Sequence, residues 1–179
     1  MPTGQDGGMT ASPDERPNLT HVREDGTAHM VDVGEKPVTA RRASAEATLV
    51  TRPDVVAAVF DGSLPKGEAI GTARIAGIMA AKQTSALIPL CHPLALTNVD
   101  VELTAAGDRV RFIASTATTA QTGVEMEALT AASVAALTLY DMIKAVDRDA
   151  VITDIRVVEK HGGRSGDWRR DAPADEGHR

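Results

Sequence analysis

The chain has 179 residues, with 19 Lys and Arg against 25 Asp and Glu, for a formal net charge of −6. One cysteine, Cys91, excludes an internal disulfide framework and a multi-cysteine zinc site, and suits a reducing cytoplasm. Aromatic residues make up 2% of the chain, too few for a base-stacking platform, and the acidic balance opposes nonspecific binding to nucleic acid.

Residues 1–17 and 168–179 lack apolar periodicity and are rich in Gly, Pro, Asp or Arg, so both are expected to be flexible tails around a single domain at 18–167. No apolar run is expected to be long enough for a membrane span, and no secretory hydrophobic region follows Met1. Removing the tails leaves the body acidic, so a phosphorylated ligand would require basic residues gathered locally.

Residues 19–37 are polar, are interrupted by Gly26 and Gly34, and predict an extended arm. From Val38 to Thr51, Ala43, Ala45, Ala47 and Leu49 alternate with Ser44, Glu46 and Thr48, the period of a half-buried strand. Pro53 suits a first helical turn, Val55, Val56, Val59 and Phe60 form a short apolar stripe, and Asp61-Gly62 stops it. The stretch 67–87 predicts one longer helix, with Ile70, Ala73, Arg74, Gly77, Ile78 and Ala81 at helical spacing. Its Gly71 and Gly77 weaken the helix but permit close packing. Val99, Val101 and Leu103, the turn at Ala106-Gly107-Asp108, and Val110, Phe112 and Ala114 predict a hairpin. The strongest predicted helix runs from about Val124 to Val146, with Leu129, Ala132, Ser133, Ala136, Leu137 and Tyr140 inward. Val151 to Val158 is the closing strand. The order is that of an α+β, ferredoxin-like β-α-β-β-α-β fold, with helices on one face of an antiparallel sheet.

Four segments are richer in reactive groups than a core requires. Lys66, before the long helix and followed by Arg74, aims an ammonium where free helix N–H groups would bind phosphate; an ordinary exposed lysine after a turn explains it equally. Leu90-Cys91-His92 lies between Pro89 and Pro93, a loop stiff enough to hold His92 either as an acid or base or simply as a hydrogen-bonded histidine, while Cys91 reads as a small buried thiol. Glu125 and Glu127, around Met126, either compensate the helix dipole or line a pocket. Asp141 and Lys144 are three apart, so they share a helix face, either as a common surface pair or, given the long apolar run before them, as a partly buried pair with a lysine poised for proton transfer.

Taken in order, His29-Met30-Val31-Asp32-Val33, Lys66-Gly67, Ala73-Arg74-Ile75-Ala76-Gly77, Ile88 to Leu94, Thr122 to Leu129 and Tyr140 to Val146 closely resemble the cyclic pyranopterin monophosphate synthase family of molybdenum cofactor biosynthesis. The resemblance covers residues 19–167. It implies a ferredoxin-like fold and a lyase that converts 3′,8-cyclo-7,8-dihydroguanosine 5′-triphosphate to cyclic pyranopterin monophosphate with loss of pyrophosphate. It also implies a homohexamer, a trimer of dimers with pockets at dimer interfaces; no cofactor and no protein-bound metal is expected, and whether a divalent ion assists the triphosphate stays open. By the same resemblance Asp141, Lys66, Lys144 and His92 are catalytic, and Leu90, Cys91, His92, Glu125, Met126, Glu127 and Lys160 contact substrate. Gln121 stands where some relatives carry a basic residue, and the closing segment reads Lys160-His161-Gly162-Gly163-Arg164, which bears on peripheral phosphate contacts. The competing reading is a non-catalytic ligand-binding or assembly module on the same scaffold.

Overall fold

A computed structural model describes Arg23 and residues 25–171, in two units divided between Val31 and Asp32. The 1–17 tail and most of the C-terminal one lie outside the described residues. In the first unit the chain turns at Gly26, whose N–H donates to Arg23 O (2.9 Å), and Asp25 accepts from the Thr27 amide and hydroxyl.

The second unit runs β1 (Thr39–Val50), α1 (Pro53–Asp61), α2 (Ala69–Ala81), α3 (Thr84–Leu87), β2 (Leu96–Ala106), β3 (Arg109–Ala120), α4 (Glu125–Ile143), β4 (Val151–His161) and β5 (Trp168–Arg169). The sheet order is β2-β3-β1-β4-β5, antiparallel throughout, so the first and last long strands pair beside the hairpin as in a split β-α-β fold. The two-residue loop Gly107-Asp108 closes the β2–β3 hairpin, Gly107 supplying a φ of +61°. Trp168 and Arg169, read in sequence as tail, pair with Lys160 and Glu159 as β5.

Period two in β1 buries both faces. Ala43, Ala45, Ala47 and Leu49 pack under the helices with Val101, Val110, Phe112 and Ala114. On the opposite face Glu46, 4% exposed, lies between Arg111 (Nε 2.9 Å) and Arg156 (Nε 2.6 Å) from the two flanking strands. Burial is the strongest single influence on the Glu46 carboxyl and pushes its pKa up. The hydrogen bonds from Arg111 and then Arg156 together outweigh burial and hold it below the ordinary carboxylate value.

The predicted helix at 67–87 is in fact two. Glu68 caps α2 by accepting from the Gly71 N–H with both oxygens (2.9 and 2.7 Å), and the chain leaves helical geometry at Gln83 before α3. Gly77 does permit close approach, since a Cβ there would stand 2.9 Å from the Ala131 carbonyl of α4. Gly71 does not, because its neighbour is only the Glu68 carboxylate.

The inward face of α4 is also corrected. Ala128, Ala131, Ala132, Ala135, Ala136, Leu139 and Ile143 are buried, whereas Leu137 is 57% exposed. An alanine-rich helix gives little contrast between faces, so one leucine biased the sequence reading. With a mean hydropathy of 1.2, α4 meets the length and apolarity of a membrane span, contrary to the sequence expectation. Its alanine face, however, packs on the sheet and α2.

Candidate active site

Lys66, Asp141 and Lys144 meet at the C-terminal end of α4. The turn Leu64–Gly67, closed by the Gly67 N–H donating to Leu64 O (3.0 Å), has Pro65 and Lys66 at its centre. From it the Lys66 ammonium reaches Asp141 Oδ2 (2.9 Å) and the Asp141 carbonyl (2.6 Å), a residue 75 positions away. Lys144 Nζ lies 2.6 Å from Asp141 Oδ1, the i,i+3 pair expected from spacing. One carboxylate thus carries two ammoniums, and Lys66 also satisfies one of the last helical carbonyls, where a cation suits the helix dipole.

The trio is exposed, with side-chain accessibilities of 39%, 55% and 52% for Lys66, Asp141 and Lys144, which selects the surface pair over the partly buried one. Lys144 is consequently not poised near neutrality. Its hydrogen bond to Asp141 raises its pKa, while Lys144 first and Lys66 second hold Asp141 down to about 2. At neutral pH the cluster is an anion flanked by two cations. Lys66 does not face the α2 N-terminus, because Glu68 occupies that position, and Arg74 donates to Val101 O (3.0 Å) of β2.

Glu125, Met126, Glu127 and Lys160 gather at the other end of α4. Thr116 Oγ1 fastens the helix start by donating to Val124 O (3.0 Å). The Glu125 carboxylate folds back over Gly123 so closely that a Cβ there would stand 1.9 Å from Oε2. Met126 is 37% exposed, and Glu127 is 4% exposed. Burial raises the Glu127 pKa, the Glu125 charge adds to this, and a backbone hydrogen bond opposes it, so dipole compensation alone does not account for this residue. Lys160 stands 4.0 Å from Glu125 Oε1.

Leu90 and Cys91 follow Pro89 in a turn in which the Cys91 N–H donates to Ile88 O (3.0 Å). Cys91 is half-buried, and burial followed by the Glu127 charge raises its thiol pKa, which fits the small-thiol reading rather than a nucleophile. His92 lines a cleft of about 400 Å³ with Leu94, Thr118, Thr119, Gln121 and Thr122, whose wall includes none of the ion trio. Among the described residues, no group of His, Cys, Asp and Glu is placed to hold a metal ion.

The sequence-derived set therefore divides between the two ends of one helix. Sixteen residues separate Glu125 from Asp141, about 24 Å at 1.5 Å per residue. Arg41 was missed by sequence reading. It donates to the Ala120 and Gln121 carbonyls (3.0 Å each) just ahead of the Thr122-Gly123 motif, with its guanidinium against Gly163. A strand position between alanines and another arginine carries no signal of that role.

Comparison with known proteins identifies the family. The MoaC family model matches residues 30–163, which hold every residue of both clusters. The chain is 56% identical over 163 residues to the cyclic pyranopterin monophosphate synthase of Streptomyces avermitilis, covering 91% of this chain and 96% of that protein. It is 60% identical over 152 residues to cyclic pyranopterin monophosphate synthase 2 of Mycobacterium tuberculosis, covering 85% and 91%. With the synthase of Corynebacterium glutamicum it shares 61% identity over 150 residues, covering 84% and 96%. The family model covers most of the chain, these relatives are 56–61% identical over 84–91% of it, and the chain belongs to the MoaC family.

Proposed function

We propose that this protein is a cyclic pyranopterin monophosphate synthase, a lyase of molybdenum cofactor biosynthesis. It converts (8S)-3′,8-cyclo-7,8-dihydroguanosine 5′-triphosphate to cyclic pyranopterin monophosphate and pyrophosphate. The observation that carries the reading is the Lys66–Asp141–Lys144 trio, assembled on a body about 60% identical to proteins of that name. A binding module has no need to set two lysines on one exposed carboxylate. The non-catalytic alternative has no observation in its favour.

The chemistry follows from the charges. Closing the cyclic phosphate requires a sugar hydroxyl to attack the α-phosphorus: its O–H bond breaks and the proton passes to a base or to solvent, one P–O bond forms, the bond to the β-phosphate breaks, and pyrophosphate leaves with the electron pair. Cations stabilise the charge that builds on the phosphates, and Lys66, Lys144 and Lys160 are the candidates. Asp141, ionised at every working pH, holds the ammoniums in place. Proton transfers during ring rearrangement fall to His92 and Glu127, alongside Lys144 once substrate disturbs its pair. Leu90, Cys91, Glu125 and Met126 shape the substrate contact.

Two clusters about 24 Å apart on a single helix cannot grip one small substrate. We assign both to one pocket shared by two copies of the chain, with dimers assembling into a homohexamer in the cytoplasm around a domain at 18–167. No cofactor, metal, nucleic acid or membrane enters the scheme. The test is to give purified protein the cyclised triphosphate and follow pyrophosphate and pterin product together. Absence of both, under conditions where a known synthase turns over, would sink the proposal.

A further inference from the structure

The turn joining β4 to β5 holds more internal fastenings than a connector needs. Gly166 N–H donates to Gly163 O (3.2 Å), which places Arg164 and Ser165 at the centre of a tight turn. Ser165 Oγ accepts from the Lys160 ammonium, the same ammonium that faces Glu125. Asp167 closes the turn from the far side. Its Oδ1 accepts from the Gly162 N–H (2.9 Å), and its Oδ2 faces His161 Nδ1 (3.1 Å). The same two contacts, the Gly162 amide before His161, hold the Asp167 carboxyl below its ordinary pKa.

Two glycines let the turn seat against β1. Gly162 and Gly163 have φ of +84° and +79°, and a Cβ on either would stand 2.3 Å from Ala40 O or Arg41 Nη1 respectively. Arg41 in turn is bonded to the β3 terminus that leads to Glu125. The Lys160 turn and the start of α4 are therefore tied through one guanidinium.

We propose that residues 162–167 form a fastened clasp for Lys160, in which Ser165 positions the ammonium against Glu125 and Asp167 holds the clasp shut. Neither residue touches substrate; both act through Lys160. The functional part rests on the reading of Lys160 as a substrate-binding residue, whereas the clasp itself does not.

The test pairs a chemical readout with a kinetic one. Lys160 acylation by an amine-selective reagent, read by peptide mass spectrometry on the full-length protein, is expected to speed up several-fold in Ser165→Ala and in Asp167→Asn. The kcat/KM of Ser165→Ala is expected to fall about tenfold, the worth of one hydrogen bond to a charged group, and Ser165→Thr to recover most of it. Lys160→Ala combined with Ser165→Ala should be no worse than Lys160→Ala alone, because both changes act on one ammonium. Unchanged acylation in Ser165→Ala, or losses that multiply in the double variant, would overturn the clasp. Faster acylation together with a fully active Lys160→Ala would leave the clasp standing and remove Lys160 from the pocket.

Discussion

Replacing Gly77 by alanine sets two opposing effects against each other. An alanine in mid-helix is worth about 0.8–1.0 kcal/mol over glycine, so propensity alone predicts a more stable protein. The structure predicts the reverse. The new Cβ would stand 2.9 Å from the Ala131 carbonyl and 3.2 Å from both Ala135 Cβ and Val101 Cγ2. The nearest atom is main chain, so no side-chain rotation relieves the contact, and α2 and α4 must separate by a few tenths of an ångström. Overpacking of this kind costs about 1–3 kcal/mol, and a main-chain obstacle puts it at the upper end. After subtracting the propensity gain, about 1–2 kcal/mol of net destabilisation remains. For a chain of 179 residues this lowers Tm by about 3–6 °C. Urea and thermal unfolding of the two proteins at pH 7 measure it directly. A Gly77→Ala protein that melts at or above the parent temperature would refute the account of the helix contact.

Four further outcomes are expected. Lys66→Ala, Lys144→Ala and Asp141→Asn should each reduce turnover by about 10²–10⁴-fold, the range of a lost acid–base or charge-stabilising group, with circular dichroism melts close to the parent. Mixing impaired Lys160→Ala with impaired Asp141→Asn, after subunit exchange, should restore about a quarter of parental activity, because half the dimers then hold one intact pocket; no recovery would place each pocket within one chain. Glu127→Gln should lose activity yet gain stability at pH 8. The raised folded-state pKa of Glu127 means that its contribution is fully present below the ordinary carboxylate value and is lost as pH rises, so the advantage over the parent should shrink towards pH 4 in urea titrations. Glu46→Gln should cost about 1–2 kcal/mol at pH 7, less than a fully buried pair because Arg111 and Arg156 can rehydrate. Here the folded pKa is lowered, so the difference should fade as pH falls below the ordinary carboxylate value.

Local signals were legible and distant ones were not. Alternation in β1, Pro53 and Gly62 bounding α1, and the Gly107 turn each depend on neighbours within a few residues, and each lies where its pattern places it. The break between α2 and α3 has no Pro or Gly to announce it, and the inward face of α4 was hidden because it is lined largely by small alanines while Leu129, Val134 and Leu137 stand off it. Within the site, spacing exposed the Asp141–Lys144 pair. The Lys66 contact with Asp141 spans 75 residues and depends on packing that no local pattern encodes. Burial of Glu127 is likewise a tertiary property, since its neighbours Glu125 and Met126 remain partly exposed.

The alanine seam has a consequence for how firmly the site is held. Ala69, Ala73 and Ala81 of α2, Ala43, Ala45 and Ala47 of β1, and Ala128, Ala131, Ala132, Ala135 and Ala136 of α4 are almost wholly buried. Burying an alanine freezes no side-chain rotor, whereas a leucine or isoleucine loses about 0.5–1 kcal/mol of rotamer entropy. The alanines themselves have no alternative rotamers, which leaves Leu139 and Ile143 as the larger side chains that anchor α4 in the core. Lys66–Asp141–Lys144 and Glu125–Lys160 thus stand at the two ends of one helix whose alanine face is seated without loss of side-chain entropy.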